Sequence, residues 1–225
     1  MRLISIIGSP HGNNGNTAAV VECVMNAASA EGVITETFLL SDYTVNPCKG
    51  CATCSKTGKC IIDDDFAYIL KSILEADGIV LASPNYQQNV SSQIKAVLDR
   101  CYSPLHCQML NGKYGAAVVT SGGPLLGVCE EYLMTFLSNI GCWKVGSISA
   151  VKMQLIDKDE RSQVMESAAE LGRNIVSAIK NKKIFPEQEA KRNENFEYMK
   201  AVIQMEKDSW PFDYEYWKSN WGLDE

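Results

Sequence analysis

The chain has 225 residues, of which 46% are hydrophobic and 21% charged, a composition that suits one α/β domain with an appendage and excludes a disordered or fibrous protein. The net charge of −6, with no dense basic run, argues against nucleic acid or an anionic membrane as the main partner. No apolar run approaches the roughly 18 to 20 residues of a membrane span, and the apolar start is too short for a secretory signal. We therefore expect a cytoplasmic protein whose nine cysteines are reduced.

The predicted elements alternate between strands and helices from the first residue to about residue 180. Apolar runs predict strands at residues 2–7, 34–40, 78–82, 114–120 and 145–151. Apolar residues at helical spacing predict helices around residues 21–28, 66–74, 94–102, 132–140 and 164–179. This alternation indicates an α/β fold with a doubly wound, five-stranded parallel sheet. Because such sheets bind ligands beyond the carboxyl ends of their strands, the loops after Ile7, Ala82 and Thr120 are the candidate sites.

The loop after the first strand reads GSPHGNNGNT, residues 8–17, and leads into a helix. Its backbone N–H groups, the positive end of the helix dipole and the hydroxyls of Ser9 and Thr17 suit a phosphate. The Walker lysine and the G-x-G-x-x-G pattern are both absent, which favours a monophosphate bound without magnesium. The alternative is a turn that only caps its helix with Asn or Thr. His11 is expected to be a solvated loop residue.

Two further loops complete the predicted ligand edge. After the third strand, SPNYQQNVS at residues 83–91 offers a rigid proline, an aromatic ring and amides that suit a planar heterocycle. After the fourth strand, the glycines of TSGGP at residues 120–124 allow close approach to backbone amides. Each loop alone also fits a plain solvated turn, but together they form a coherent site.

The segments GSP-x-x-x-NGNT, SPNYQQNVSSQIKAVLDR and VVTSGG together resemble the flavodoxin-like NAD(P)H-dependent FMN reductase family over about residues 1–180. The resemblance implies a flavodoxin-like fold, FMN as cofactor and NAD(P)H as one candidate electron donor. It places the FMN phosphate on Ser9, Asn14, Asn16 and Thr17, and the isoalloxazine ring against Pro84, Asn85, Tyr86, Asn89, Ser121, Gly122 and Gly123. Pro10, Gly15 and Thr120 belong to the same predicted cofactor-binding set. No phosphate contact is assigned to His11, which stands where members often carry a basic residue.

Four cysteines follow the second strand as C-x2-C-x2-C-x5-C in the loop 47–60: Cys48, Cys51, Cys54 and Cys60. Such spacing lets consecutive thiolates surround one inorganic cluster from a compact loop. Structural zinc sites usually draw two pairs from separated turns, so the pattern favours iron and sulfur over zinc. It is not a ferredoxin repeat, because Ile61 rather than proline follows the fourth cysteine. Zinc, free thiols and paired thiols remain the alternatives.

The same spacing resembles the iron-sulfur flavoproteins, a branch of that family with a [4Fe-4S] cluster beside FMN. The resemblance implies an oxidoreductase that passes electrons between a reduced donor, ferredoxin-like or NAD(P)H, and a small acceptor. FMN exchanges one or two electrons and the cluster one, so no side chain is required as a general acid or base. The alternatives are a cluster-free NAD(P)H-dependent FMN or quinone reductase, a non-catalytic flavin carrier or redox sensor, and a zinc-stabilised interaction module.

The remaining features have structural interpretations. The scattered cysteines Cys23, Cys101, Cys107, Cys129 and Cys142 are expected to pack as small hydrophobic residues. The acidic run 63–65 is expected to cap the helix that follows it rather than to bind magnesium. Beyond the flavin domain, residues 1–183, the extension 184–225 holds nine of the 19 aromatic residues. It either folds over its own domain or docks on a neighbouring subunit, and we expect a homodimer or homotetramer.

Overall fold

The structure is a computed structural model that describes residues 1–124 and 126–223. One parallel sheet contains the five strands β1 (Arg2–Ile7), β2 (Ile34–Leu39), β3 (Gly78–Pro84), β4 (Tyr114–Ser121) and β5 (Trp143–Val151). Their order in the sheet is β2-β1-β3-β4-β5, the doubly wound order of flavodoxin-like proteins. The predicted fold class and all five strands are therefore confirmed, with β3, β4 and β5 slightly longer than expected.

The helices of the described residues include the five that were predicted and five more. They are α1 (Asn16–Ala30), α2 (Thr53–Thr57), α3 (Phe66–Glu75), α4 (Ser92–Arg100), α5 (Tyr102–His106), α6 (Gly127–Asn139), α7 (Lys152–Ile156), α8 (Lys158–Lys180), α9 (Pro186–Met205) and α10 (Pro211–Trp221). Short 3₁₀ turns occupy Gly12–Asn14 and Leu40–Asp42. Helices α2, α5 and α7 have five residues each, too few to show an apolar stripe in the sequence.

The sheet is covered on both faces. One hydrophobic cluster packs α1 and α8 against the sheet, and the other packs α3, α4 and α6 against the opposite face. All seven residues of β3, the central strand, are buried. A parallel sheet buried on both sides has near-continuous apolar strands, which is why the strands could be predicted from short apolar runs. None of the helices in the described ranges is long and apolar enough to cross a membrane.

The register of the strands brings the predicted loops together. Ile7 at the end of β1 pairs with Ala82, and Pro84 at the end of β3 pairs with Thr120. On the other side of β1, Ile7 pairs with Leu39, the last residue of β2. The three loops of the predicted flavin site and the cysteine loop therefore all leave the same edge of the sheet.

The C-terminal extension folds over its own domain. The indole N–H of Trp217, which is fully buried, donates to the carbonyl oxygen of His106 at 2.9 Å, and that of Trp221 donates to the carbonyl oxygen of Cys107 at 2.9 Å. These bonds dock α10 on α5. These contacts are those of the first alternative for the extension, and docking on a neighbouring subunit stays a prediction. The last two residues of the extension, 224 and 225, lie outside the described residues.

Candidate functional site

The three predicted loops surround one cleft of about 180 Å³ at the carboxyl edge of the sheet. Ten of the fourteen residues predicted to bind the cofactor line it: Ser9, Gly15, Asn16, Thr17, Pro84, Asn85, Tyr86, Thr120, Ser121 and Gly122. His11 and Lys152 complete the lining. The other four predicted residues, Pro10, Asn14, Asn89 and Gly123, lie on the same loops but outside this lining. The sequence therefore located the cleft, although not every residue of its wall.

The first and second loops are joined by buried hydrogen bonds. Gly8 donates its N–H to the carbonyl oxygen of Ala82 at 2.8 Å, and the hydroxyl of Ser91 donates to the carbonyl oxygen of Gly8 at 2.6 Å. The N–H of Ser91 in turn donates to the hydroxyl of Ser83 at 2.9 Å. A Cβ atom on Gly8 would lie only 2.6 Å from the Ser91 hydroxyl and 2.7 Å from Cβ of Ile94. The residue at position 8 must therefore be glycine for the two loops to meet this closely.

The first and third loops are joined at the floor of the cleft. The hydroxyls of Thr17 and Thr120 lie 2.6 Å apart, and Thr17 is 2% exposed. Thr120 also accepts, on its carbonyl oxygen, the N–H of Asn85 at 2.7 Å. At the start of α1, the N-cap residue Gly15 has no side chain to bond the free N–H groups of the first turn. These groups and the hydroxyls form an arrangement suited to an anion, and the cation Lys152 borders the same cleft.

The turn that carries Tyr86 has a defined geometry. Tyr86 and Asn89 form an antiparallel bridge with N–H···O distances of 2.9 and 3.0 Å. Between them, Gln87 and Gln88 both have positive φ, 52° and 61°, as a two-residue hairpin turn of type I′ requires. The side-chain oxygen of Asn89 accepts the N–H of Val90 at 2.8 Å, so it stabilises this turn. The turn presents the Tyr86 ring, which is 44% exposed, at the cleft.

Lys152 was not among the residues predicted from the sequence, because the predicted site used only the loops after the first, third and fourth strands. This lysine begins α7 directly after β5 and is exposed. The rule that parallel strands end at one edge applies to the fifth strand as well, so the residues after Val151 were a signal available in the sequence.

The four cysteines of the loop line a second cavity of about 100 Å³. Cys48 and Cys51 are exposed, and Cys54 and Cys60 are half-buried. The loop folds back on itself through residues of positive φ: Gly50 at 63°, Ala52 at 54° and Gly58 at 75°. Within the described ranges, no three or more His, Cys, Asp or Glu side chains are arranged to hold one metal ion. In a [4Fe-4S] cluster each thiolate binds a different iron, so its ligands surround a volume rather than a point, and this cavity fits that requirement.

Hydrogen-bond donors lie beside three of the four sulfurs, those of Cys48, Cys51 and Cys60. The N–H of Gly50 donates to Sγ of Cys48 at 3.4 Å, and the hydroxyl of Thr53 donates to Sγ of Cys51 at 3.4 Å. The hydroxyl bond from Thr53 lowers the pKa of Cys51, whereas burial raises the pKa of Cys54. Donors of this kind stabilise thiolates, which are the form that binds metal.

A buried ion pair closes the base of the cysteine loop. Nη1 of Arg100 donates to both carboxylate oxygens of Asp64 at 2.6 and 2.7 Å, and Nη2 donates to Sγ of Cys60 at 3.2 Å. Asp64 also accepts the backbone N–H of Asn46 at 2.8 Å, and Arg100 donates to the carbonyl oxygen of Ile62 at 3.2 Å. Both ends of the loop are thereby attached to one pair of charges. Burial alone would lower the pKa of Arg100, but the bonds to Asp64 and Cys60 outweigh it and raise the pKa.

This pair modifies the prediction for the acidic run 63–65. Asp64 does accept the N–H of Phe66, the first residue of α3, at 3.1 Å, as a capping side chain would. Asp65, however, bonds the N–H of Thr44 at 2.6 Å instead of the helix. The main partner of Asp64 is Arg100, which lies 36 positions away in sequence and could not be paired with it by local spacing.

The five other cysteines pack in the core as predicted. Cys101, Cys107, Cys129 and Cys142 are buried, and Cys23 is half-buried. Burial raises the pKa of Cys101 and of Cys142 to about 12 and that of Cys129 to about 11. These thiols are therefore protonated at neutral pH and unreactive.

We expect iodoacetamide to separate the two groups of cysteines in reduced protein stripped of metal. Because the pKa of Cys51 is lowered, its alkylation should reach half its maximal rate at a lower pH than that of a free cysteine, while Cys101 and Cys142 stay unmodified. Peptide mass spectrometry across a pH series measures this. Thr53→Val, which removes the donating hydroxyl, should move the Cys51 profile to higher pH. An unchanged profile in that variant would contradict the assignment.

Comparison with known proteins identifies the family. The model of the family described as NADPH-dependent FMN reductase matches residues 1–155. The chain belongs to this family. As a member it is a flavin oxidoreductase that uses FMN, in agreement with the prediction from the sequence.

Individual relatives support the same placement. An iron-sulfur flavoprotein of Archaeoglobus fulgidus is 30% identical over 225 residues, which covers 97% of this chain and 98% of the relative. An iron-sulfur flavoprotein of Methanocaldococcus jannaschii is 46% identical over 119 residues, covering 52% of this chain and 61% of the relative. The predicted resemblance to the iron-sulfur flavoproteins is therefore confirmed. The solved apo form of an NADH:FMN oxidoreductase superposes with a TM-score of 0.58 at 21% identity, over 76% of this chain and 88% of that chain, and confirms the fold.

Proposed function

We propose that this flavin oxidoreductase holds a [4Fe-4S] cluster on Cys48, Cys51, Cys54 and Cys60. The observation that carries the proposal is the cavity these four residues line, with donors to three of their sulfurs already in place. The names of the relatives, iron-sulfur flavoproteins, agree with it. When bound, such a cluster supplies one-electron transfer, while FMN exchanges one or two electrons. Together they would couple a one-electron donor to a two-electron acceptor.

We propose further that FMN binds in the cleft at the carboxyl ends of β1, β3 and β4. Its phosphate would lie at the first turn of α1, where Ser9, Thr17 and the free N–H groups provide donors and Lys152 provides a compensating charge. The flavin ring would lie against Pro84 and Tyr86, beside the Ser121 and Gly122 backbone. In this arrangement the side chains bind and orient the cofactor, and the electron transfer requires no side chain as a general acid or base.

The cysteine loop and the cleft leave the same edge of the sheet, which supports electron transfer between the two sites. We propose a ferredoxin-type protein or NAD(P)H as donor and a small molecule as acceptor. A homodimer or homotetramer in the cytoplasm remains our expectation, and light scattering of the purified protein measures the subunit number.

The test of the cluster is analysis of protein purified without oxygen. We expect FMN together with about four iron and four sulfide per chain. Cys54→Ser should lose most of the iron and retain FMN, since it removes one cluster ligand but no residue of the cleft. Cys23→Ser is the matched control, because this half-buried cysteine lies outside the loop, and it should retain both. Yellow protein free of iron and sulfide, but rapidly reduced by NADPH, would instead support a cluster-free reductase.

A further inference from the structure

Arg100 is the most completely fixed charged side chain beside the cysteine loop. Its side chain is 0% exposed and that of its partner Asp64 is 2% exposed. The guanidinium carbon lies 4.3 Å from the centre of the Phe66 ring, which packs on one face of the group. Nη1 contacts both carboxylate oxygens of Asp64 and Nη2 donates to the carbonyl oxygen of Ile62, so bonds from two nitrogens hold the guanidinium in place.

Arg100 also lines the cavity of the four cysteines. Nη2 donates to Sγ of Cys60 at 3.2 Å. Nε is buried and has no hydrogen-bond partner among residues 1–124 and 126–223. An N–H of a charged group left unpaired in the interior costs free energy and is rare in folded proteins. An acceptor atom of a group bound beside Arg100 would satisfy it.

We propose that Arg100 is a positioning residue that, through its bond to the Cys60 sulfur, sets the reduction potential of the cluster. This inference rests on the proposed function. Reduction of such a cluster by the proposed ferredoxin-type or NAD(P)H donor would add one electron, and so one negative charge, without forming or breaking a bond. A guanidinium N–H at a ligating sulfur stabilises the more negative state, and so raises the potential.

Asp64 acts in the opposite direction, because its negative charge offsets that of Arg100. Asp64 does not depend on Arg100 alone: it accepts the backbone and side-chain N–H groups of Asn46 at 2.8 and 3.0 Å, and the N–H of Phe66 at 3.1 Å. A variant at position 100 therefore leaves the carboxylate with three partners. This makes it realistic to change the two charges one at a time.

The two single variants have opposite expected effects. Arg100→Gln removes the cation and leaves Asp64 negative, so the potential should fall. Asp64→Asn leaves Arg100 as an uncompensated cation at Cys60, so the potential should rise. We expect at least a tenfold change in the reduction equilibrium in each direction, which is about 59 mV for one electron. If Arg100 only supported the loop, the two single variants would shift the reduction potential in the same direction. Alternatively, they would change the iron content without changing the potential.

The experiment is an anaerobic redox titration of full-length protein with its cofactors bound, using dithionite and mediators and following the reduced cluster by electron paramagnetic resonance. Iron, sulfide and FMN are measured for each variant. Arg173→Gln is the matched control, since Arg173 forms an exposed ion pair with Glu166, and its potential should equal that of the wild type.

If either single variant fails to fold, the double variant Arg100→Gln/Asp64→Asn still tests the inference. It removes both buried charges, replacing Asp64 with an amide of the same shape and Arg100 with a shorter neutral amide. Because Arg100 and not Asp64 contacts the sulfur, its potential should lie below that of the wild type, but by less than in Arg100→Gln. A wild-type potential in the double variant, or shifts of equal sign in the single variants, would overturn the inference. Wild-type protein that contains no iron or sulfide would instead overturn the proposed cluster itself.

Discussion

Replacing Asp213 with alanine is expected to destabilise the protein by about 3 to 5 kcal/mol, because three buried polar groups lose their partner at about 1 to 3 kcal/mol each. Asp213 is fully buried on α10. Its carboxylate accepts the hydroxyl of Ser103 at 2.5 Å, faces Nδ1 of His106 at 3.3 Å and accepts the thiol of Cys107 at 3.3 Å. Without it, Ser103 and His106 of α5 and the adjoining Cys107 lose a partner in the interior, and α10 loses one of its attachments to α5.

The Asp213→Ala substitution should affect the cysteine loop as well. Phe212, the neighbour of Asp213, packs so closely on Gly58 that it leaves no room for a Cβ atom at position 58. We therefore expect faster loss of iron to a chelator from Asp213→Ala protein, in addition to a lower urea midpoint. Glu215→Ala, an exposed residue of the same helix, should change stability by less than about 0.5 kcal/mol. Equal urea midpoints for the two variants would show that Asp213 does not hold α10 in place.

The sequence predicted the sheet and the cleft because both depend on local patterns. A strand buried on both faces must be apolar throughout, as in β3, and a loop that follows such a strand must lie at the carboxyl edge. The compact spacing of the four cysteines likewise could only place them in one loop. For these features, neighbouring residues in sequence are neighbours in the site.

The contacts that could not be predicted join residues far apart in the chain. Arg100 is the last residue of the motif after the third strand, and Asp64 follows the cysteine loop, but only the packing of α4 beside that loop brings them together. Asp213 lies more than 100 positions from Ser103, with which it bonds. Local periodicity carries no information about such pairs.

The helices of the extension could not be predicted for a different reason. Its aromatic residues were identified, but α9 and α10 carry no single apolar stripe, so they were not expected as helices. The aromatic residues cluster instead with one another: the rings of Phe196 and Trp217 lie 4.7 Å apart, and Trp221 packs on both. A small satellite core of this kind buries apolar surface within the subunit. Aromatic density alone therefore did not decide between folding back and docking on a neighbour.

Replacing Gly8 with alanine is expected to lower both stability and affinity for FMN. The new Cβ would lie 2.6 Å from the Ser91 hydroxyl and 2.7 Å from Ile94 Cβ, so the start of α4 must move away from β1. Overpacking of this degree usually costs about 1 to 3 kcal/mol. If the loops must be pressed together again to close around FMN, the same free energy is lost from binding, which corresponds to about 5- to 150-fold weaker affinity.

Titration of stripped protein with FMN, followed by flavin fluorescence, measures the affinity, and urea unfolding measures the stability. Gly127→Ala is the matched control, because a Cβ at position 127 meets nothing within 4 Å and the residue lies outside the cleft. A Gly8→Ala variant that is destabilised but binds FMN like the control would separate the two effects. It would place FMN away from the junction of the first two loops, since a ligand bound between them must respond to their separation.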